Sequence, residues 1–284
     1  MAALPPDPIA LTKLHGLGND FLVILDRGDS AAPGDDAGPD AELARRLCHR
    51  HLGIGADGLI WGRLLERSSE ANDGVRLTFR LWNADGSEAE MSGNGMRCLA
   101  HAALDEGWIS EDEPVGVITP AGRREVRVKR SGSEPGLTWA TVEMGPVKVG
   151  GEESRCNIGH GQLLVDVGNP HLVVLGPSPD TVDVRTLGPL LEDTDPAGLN
   201  VEFVALGPGP DTVTMRVWER GVGETEACGT GSVAAAAALH YWKRVGTLVT
   251  VQQPGGAAAV ELRTDGTATL AGPSRRIATC LVGR

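Results

Sequence analysis

The sequence predicts an α/β protein of two similar halves, rich in strands and poor in helices, and three observations carry this. The 284 residues are about two domains' worth of chain, because a single core stops growing near roughly 250–300 residues. Short apolar or alternating segments, punctuated by 39 glycines and 18 prolines, recur along the chain, whereas few stretches have helical spacing. Finally, Ser92-Gly-Asn-Gly followed by Ala100 and Ala102 is echoed by Cys228-Gly-Thr-Gly followed by Ala236 and Ala238, at a constant offset of 136 residues. A weaker echo sets Gly18-Asn19 against Gly168-Asn169. Two similar halves predict a cleft between them.

From Leu11 a short strand crosses the glycine turn at 16–18 into a second strand at Leu22–Leu25. A loop of Gly, Asp, Pro and Ala over 28–40 reads as exposed and mobile. Asp40 caps a helix through Leu47 and Cys48, and the Gly53–Gly58 stretch leads into a strand at Leu59–Trp61. One alternating strand is expected over Val75–Trp82, a turn over Asn83–Ser87, and a helix opened by Met91–Gly95 that runs to about Glu106. Strands follow at 114–120, 123–130, 137–144, 162–166, 171–175, 201–206, 212–219, 248–252, 257–262 and 267–270. One long helix, Thr230–Tyr241, interrupts them.

Composition removes several functions. Acidic residues exceed basic ones, 38 to 26, and the net charge of −12 opposes binding to nucleic acid or an anionic membrane. The longest uncharged run, Ala227–Trp242, is too short and too polar to span a bilayer. The N-terminus lacks the basic and apolar regions of a signal peptide, so the expected location is the cytoplasm. There, five widely spaced cysteines form neither a disulfide framework nor a metal cluster, and no metal is expected. The expected partner is a small molecule.

Glycine-rich helix starts leave backbone N–H groups open to an anion. Two of them, at Gly93–Gly95 and Gly229–Gly231, could grip one carboxylate and oppose charge building beside it, as removal of a proton alpha to a carboxylate requires. Cys228 begins such a helix, where the macrodipole is expected to lower its pKa and make it the base. Cys48, Cys98, Cys156 and Cys280 lack that context and read as structural thiols.

Across nearly the whole chain, His15-Gly-Leu-Gly-Asn-Asp-Phe21, Asn83-Ala-Asp-Gly-Ser87, Ser92-Gly-Asn-Gly95 with Arg97-Cys98, Gly168-Asn-Pro-His171, Asn200-Val201 and Glu219-Arg-Gly-Val-Gly-Glu-Thr225 with Ala227-Cys-Gly-Thr-Gly231 resemble the diaminopimelate epimerase family. The resemblance implies two pseudo-symmetric α/β domains, each a mixed, mostly antiparallel sheet wrapped around a central helix, with the substrate in the cleft. It implies domains of 1–131, joined by the returning segment 273–284, and 132–272, and a homodimer. It also implies cofactor-independent interconversion of LL- and meso-2,6-diaminopimelate by two cysteines, one on each face of the alpha carbon. Carried over by position, Cys228 is the second of these, and Gly229, Thr230, Gly93 and Asn94 would hold the alpha-carboxylate. Asn19, Asn83, Asn169, Asn200, Glu219 and Arg220 match substrate-binding positions, with Arg220 suited to the distal carboxylate. His171 and Glu219 match positions that tune the thiols.

Two departures stand out. Gly58 replaces a glutamine that many members use to bind substrate, and Ser92 replaces the first catalytic cysteine. A hydroxyl is a far poorer base than a thiol. Ser92 could be a natural variant that donates or relays a proton, the reading favoured here, since some members of the related proline racemase superfamily work with a Ser/Cys pair. It could instead be a substitution introduced to trap a ligand, or the mark of a divergent member with low activity or another amino-acid substrate. A binding protein without catalysis is also conceivable.

Overall fold

The computed structural model describes residues 8–27, 38–65, 75–152 and 159–283. The chain divides into two compact units, residues 1–16, 20–142 and 273–284 forming the first and 17–19 and 143–272 the second.

The first unit contains β1 (Ile9–Gly16), β2 (Asn19–Asp26), α1 (Ala41–Cys48), β3 (Gly58–Leu65), β4 (Val75–Thr78), β5 (Arg80–Asn83), β6 (Glu88–Ala89), α2 (Gly93–Asp105), β7 (Val115–Thr119), β8 (Gly122–Arg130) and most of β9 (Leu137–Pro146). The second contains β10 (Lys148–Glu152), β11 (Gly161–Asp166), β12 (Pro170–Leu175), α3 (Val184–Glu192), β13 (Asn200–Leu206), β14 (Thr212–Glu219), β15 (Gly223–Thr225), α4 (Gly229–Tyr241), β16 (Leu248–Gln253), β17 (Gly256–Leu262) and the start of β18 (Thr267–Val282). The end of β18 belongs to the first unit, where Cys280 pairs with Leu11 of β1.

The units repeat one pairing plan. β2 and β3 run parallel, as do β12 and β13. β3 is antiparallel to β4 and β5, as β13 is to β14. β4 runs parallel to β7 as β14 does to β16, and antiparallel hairpins β7–β8 and β16–β17 follow. Most pairs are antiparallel, as the resemblance implies.

Burial explains the helices. Twelve of thirteen residues of α2 and eleven of thirteen of α4 are buried, so each is a central helix enclosed by its own sheet; α4, almost wholly apolar, could not rest stably on a surface. The smaller α1 is amphipathic and packs Ala44 and Leu47 against Leu59, Trp61 and Trp82, and α3 sets Val184 and Leu191 against Leu172, Val201 and Phe203. Each such buried aliphatic side chain contributes about 1.5–3 kcal/mol. Caps fix both starts: Asp40 accepts the Leu43 N–H at 2.8 Å and Asp183 the Thr186 N–H at 3.2 Å.

The sequence reading missed four elements and misjudged two. α3, β6, β10 and β15 were not expected; α3 lies between two parallel strands as α1 does, so the internal repeat already demanded a helix there. Val75–Trp82 is not one strand but two, broken at Phe79, whose N–H bonds the Ile118 carbonyl of β7, while β4 and β5 both pair with β3 in one register. The strand expected at 267–270 runs on to Val282. Residues 28–37 of the expected mobile loop, and Cys156, lie outside the described residues. Cys48, Cys98, Cys228 and Cys280 are free thiols; burial raises Cys48 and Cys98 to about 12, as inert core thiols require.

Candidate active site

In the second unit, parallel pairing sets His171 of β12 in register with Asn200 of β13, and Val201 opposite Trp218 of β14. The ends of three adjacent strands therefore supply Asn169, His171, Asn200, Glu219 and Arg220. Asn200 donates to the Pro170 carbonyl at 3.1 Å and accepts the Arg220 backbone N–H at 3.1 Å. The Arg220 guanidinium rests on the Ala197 carbonyl at 3.2 Å on an exposed side chain.

His171 bridges two groups. Its Nδ1 lies 2.7 Å from Glu202, and its Nε2 lies 3.0 Å from the Asn169 side-chain oxygen. His171 and Glu202 are both wholly buried, and the second Glu202 oxygen has no partner among the described residues. Glu202 went unnoticed in the sequence, although a carboxylate in the apolar run Val201-Glu-Phe-Val204 is the signal that could have found it.

Cys228 caps α4 with an extended backbone, and its Sγ accepts the Gly231 N–H at 3.4 Å and lies 3.4 Å from the Thr230 hydroxyl. Gln253, a second residue the sequence did not reveal, holds this start: it accepts the Cys228 N–H at 2.8 Å and donates to Ser232 at 3.0 Å, while Ser232 donates to the Cys228 carbonyl at 2.7 Å. Gly229 and Thr230 form the first turn. Glu219 accepts a hydrogen bond from the Thr225 hydroxyl, and its charge acts on the Cys228 thiol. Part of Glu219 reaches solvent, yet burial of its carboxyl, with Glu202 adding to it, raises its pKa.

The expected acidic thiol is corrected. Burial first, then the charges of Glu219 and Glu202, pushes Cys228 well above the usual thiol range, and the Gly231 N–H and Thr230 hydroxyl only partly oppose this. A helix start favours thiolate by a fraction of a charge, whereas a dry pocket flanked by two carboxylates acts with more. Cys228 rests as a thiol.

In the first unit Ser92 caps α2, also from an extended backbone, and its Oγ accepts the Gly95 N–H at 3.0 Å. Gly93 and Asn94 form the first turn and are buried, whereas Ser92 is partly exposed. Asn83 ends β5 in register with Gly58, and its amide donates to Ser87 at 3.0 Å. A Cβ on Gly58 would stand 2.8 Å from the Trp82 carbonyl, so this backbone excludes a longer side chain without a shift. Below this, Asp20 and Asp57 exchange backbone N–H bonds, at 3.0 and 3.1 Å, and Arg50 and Lys13 bind Asp20 at 2.8 and 3.0 Å. This network anchors the loop into β3 next to Asn19, which begins β2 but is grouped with the second unit.

Residues 11–150 and 163–277 match the family model for diaminopimelate epimerase. The chain is 41% identical to the diaminopimelate epimerase of Desulforudis audaxviator, over 94% of this chain and 96% of that one, and 37% identical to that of Desulfitobacterium hafniense, over 93% and 94%. Among solved structures it is similar to a Bacillus anthracis phenazine biosynthesis protein of the PhzF family (TM-score 0.71, 16% identity, 98% and 99% covered). It is also similar to a hydroxyproline epimerase from Agrobacterium vitis with bound trans-4-hydroxy-L-proline (TM-score 0.67, 20% identity, 99% and 94% covered). At these identities the two structures speak for the fold alone.

Proposed function

Since the chain belongs to the diaminopimelate epimerase family, we propose that it interconverts LL- and meso-2,6-diaminopimelate by removing and returning the alpha proton without a cofactor. The observation that carries this beyond the family match is Cys228: a thiol at a glycine-rich helix start, under the charge of Glu219 and close to the buried Glu202–His171 pair. Such a thiol needs only to pass its proton on to become a base, and the N–H groups of Gly229 and Thr230 suit the carboxylate whose charge grows as the alpha carbon is deprotonated.

In this reading Cys228 removes the alpha proton from one face, and the Ser92 hydroxyl returns one to the other. Solvent reprotonates Ser92, whose side chain is partly exposed. Gly93 and Asn94 would supply further N–H groups to the carboxylate, and Asn19, Asn83, Asn169, Asn200, Glu219 and Arg220 would bind the rest of the molecule. Return in the opposite sense asks a hydroxyl to act as base, so Ser92 also supports a second reading, a slow member of the family.

The deciding experiment is deuterium incorporation at the alpha carbon of LL- and meso-diaminopimelate in D2O. Exchange by the wild type that Cys228→Ala abolishes is expected. No exchange with either isomer sinks the proposal, and full exchange by Cys228→Ala removes Cys228 from its role. We also propose a homodimer in the cytoplasm. The exposed Trp139 of β9 and Ile277 and Leu281 of β18 offer apolar surface for a second copy, and a monomeric mass in sedimentation would exclude it.

A further inference from the structure

A helix start is held on both sides by a reciprocal cap, in which the cap side chain takes the N–H three residues on and the side chain of that residue returns to the cap's own N–H. At α4 only half of this can come from within the helix. Cys228 accepts the Gly231 N–H, but Gly231 has no side chain to return, and a Cβ there would stand 2.7 Å from the Glu202 carboxylate. Gln253, the last residue of β16, supplies the other half: its Oε1 accepts the Cys228 N–H at 2.8 Å.

The Gln253 amide then closes a ring. Its Nε2 donates to the Ser232 hydroxyl at 3.0 Å, and that hydroxyl donates to the Cys228 carbonyl at 2.7 Å. The three bonds run in one direction, set by a backbone N–H that can only donate and a carbonyl that can only accept. Ser232 is wholly buried and Gln253 nearly so, so a lost member leaves its neighbours unpaired rather than solvated. The matching positions of the first unit build no such ring. Thr119 ends β7 as Gln253 ends β16, but its hydroxyl donates to the Gly122 carbonyl at 2.7 Å, and Met96 stands where α4 has Ser232. The ring belongs to the cap that carries the thiol.

We infer that Gln253 is a positioning residue for Cys228: working with Ser232, it holds the N–H and the C=O of the thiol-bearing residue at once, so that Sγ keeps one place while a proton moves between it and the alpha carbon. With the backbone held, the place of Sγ depends on one side-chain torsion, which the Gly231 N–H and Thr230 hydroxyl steer. The inference rests on the proposed epimerase reading. It assigns no proton transfer to Gln253.

Gln253→Met tests it, because an apolar chain of similar length fills the space and removes both hydrogen bonds. For alpha-deuterium exchange into diaminopimelate, kcat is expected to fall about tenfold or more, since a misplacement of about 1 Å at a reacting group can cost roughly 10²-fold. KM should stay within about threefold, because the groups proposed to bind substrate are untouched. Ser232→Ala opens the same ring on its other side and should lower kcat about threefold or more. The double variant should be no slower than Gln253→Met alone, within about twofold, because residues acting through one network are not additive. A folded Gln253→Met enzyme with kcat within about twofold of the wild type overturns the inference, as does a loss confined to KM, or kcat losses that multiply in the double variant. Should Gln253→Met not fold, Ser232→Ala decides, and a wild-type kcat in that variant overturns the inference. Wild-type exchange is measured first. Its absence ends the epimerase reading and the role of Gln253 with it, whereas wild-type exchange that both substitutions leave intact removes Gln253 alone.

Discussion

Ser92 and Cys228 hold the same local post in their two units: each is the extended residue before a thirteen-residue helix, and each accepts the backbone N–H three residues on, at 3.0 Å to Oγ and 3.4 Å to Sγ. Their surroundings differ. Strand register puts Glu202 where the first unit has Ile60, and His171 where it has Phe21. A Cβ on Gly95 would accordingly meet Ile60 at 3.1 Å, whereas one on Gly231 would meet the Glu202 carboxylate at 2.7 Å. The thiol has carboxylates and an imidazole to manage its proton, and the hydroxyl has apolar neighbours.

Ser92→Cys should therefore raise turnover, by about tenfold or more, because a thiol ionises far more readily than a hydroxyl in the same cap. In the wild type, one isomer should take up alpha-deuterium faster than it inverts, since only the face served by Cys228 has a competent base. Equal exchange and inversion rates for both isomers would show that Ser92 serves its face as well as Cys228 serves the other.

Activity should climb with pH. Burial, Glu219 and Glu202 raise the Cys228 pKa, so the base form is scarce near neutrality and grows as pH increases. Glu202→Gln removes one of those negative charges and should shift the rising limb of kcat/KM to lower pH, while lowering its plateau about tenfold because His171 loses its charged partner. An unmoved limb would mean that Glu202 is not felt at the thiol.

Gly231→Ala should be destabilised by roughly 1–3 kcal/mol, the usual cost of overpacking. The added carbon would stand 2.7 Å from the Glu202 oxygen and 3.3 Å from the Cys228 Cβ, so activity should fall with stability. Calorimetry and single-turnover exchange check both; a variant as stable and active as the wild type would refute the tight packing of this turn.

Acid should loosen the first unit through His101. Burial, with Arg276 and Arg130 adding to it, lowers its pKa from 6.5 to about 4, with Asp105 opposing. A histidine whose folded pKa is depressed contributes stability that is complete above about 6.5 and is lost as pH falls toward about 4, here ~3 kcal/mol. His101→Gln should flatten the melting temperature in that window, and an unchanged slope would exclude His101 as its cause.

Much of the site was legible because it is made of short motifs. Glycines at 93, 95, 229 and 231, the Asn–Gly turn at 83–87 and the lone Cys228 declare a backbone requirement or a reactive atom within a few residues of chain. Glu202 and Gln253 were not legible in the same way. Gln253 reaches Cys228 across 25 positions, and a single Glu in a strand does not say which partner the sheet will bring to it.

The sequence by itself determined the strand-rich two-part fold, the repeat and the Asp40 cap, because periodicity, turn chemistry and capping are local. Only the tertiary structure decided that Cys228 rests protonated. A helix start, taken alone, favours a thiolate, but burial and two carboxylates brought by separate strands outweigh a fraction of a charge. It also decided the partners of α3, whose Val184 and Leu191 pack against Leu172, Val201 and Phe203, contacts that no local signal announces.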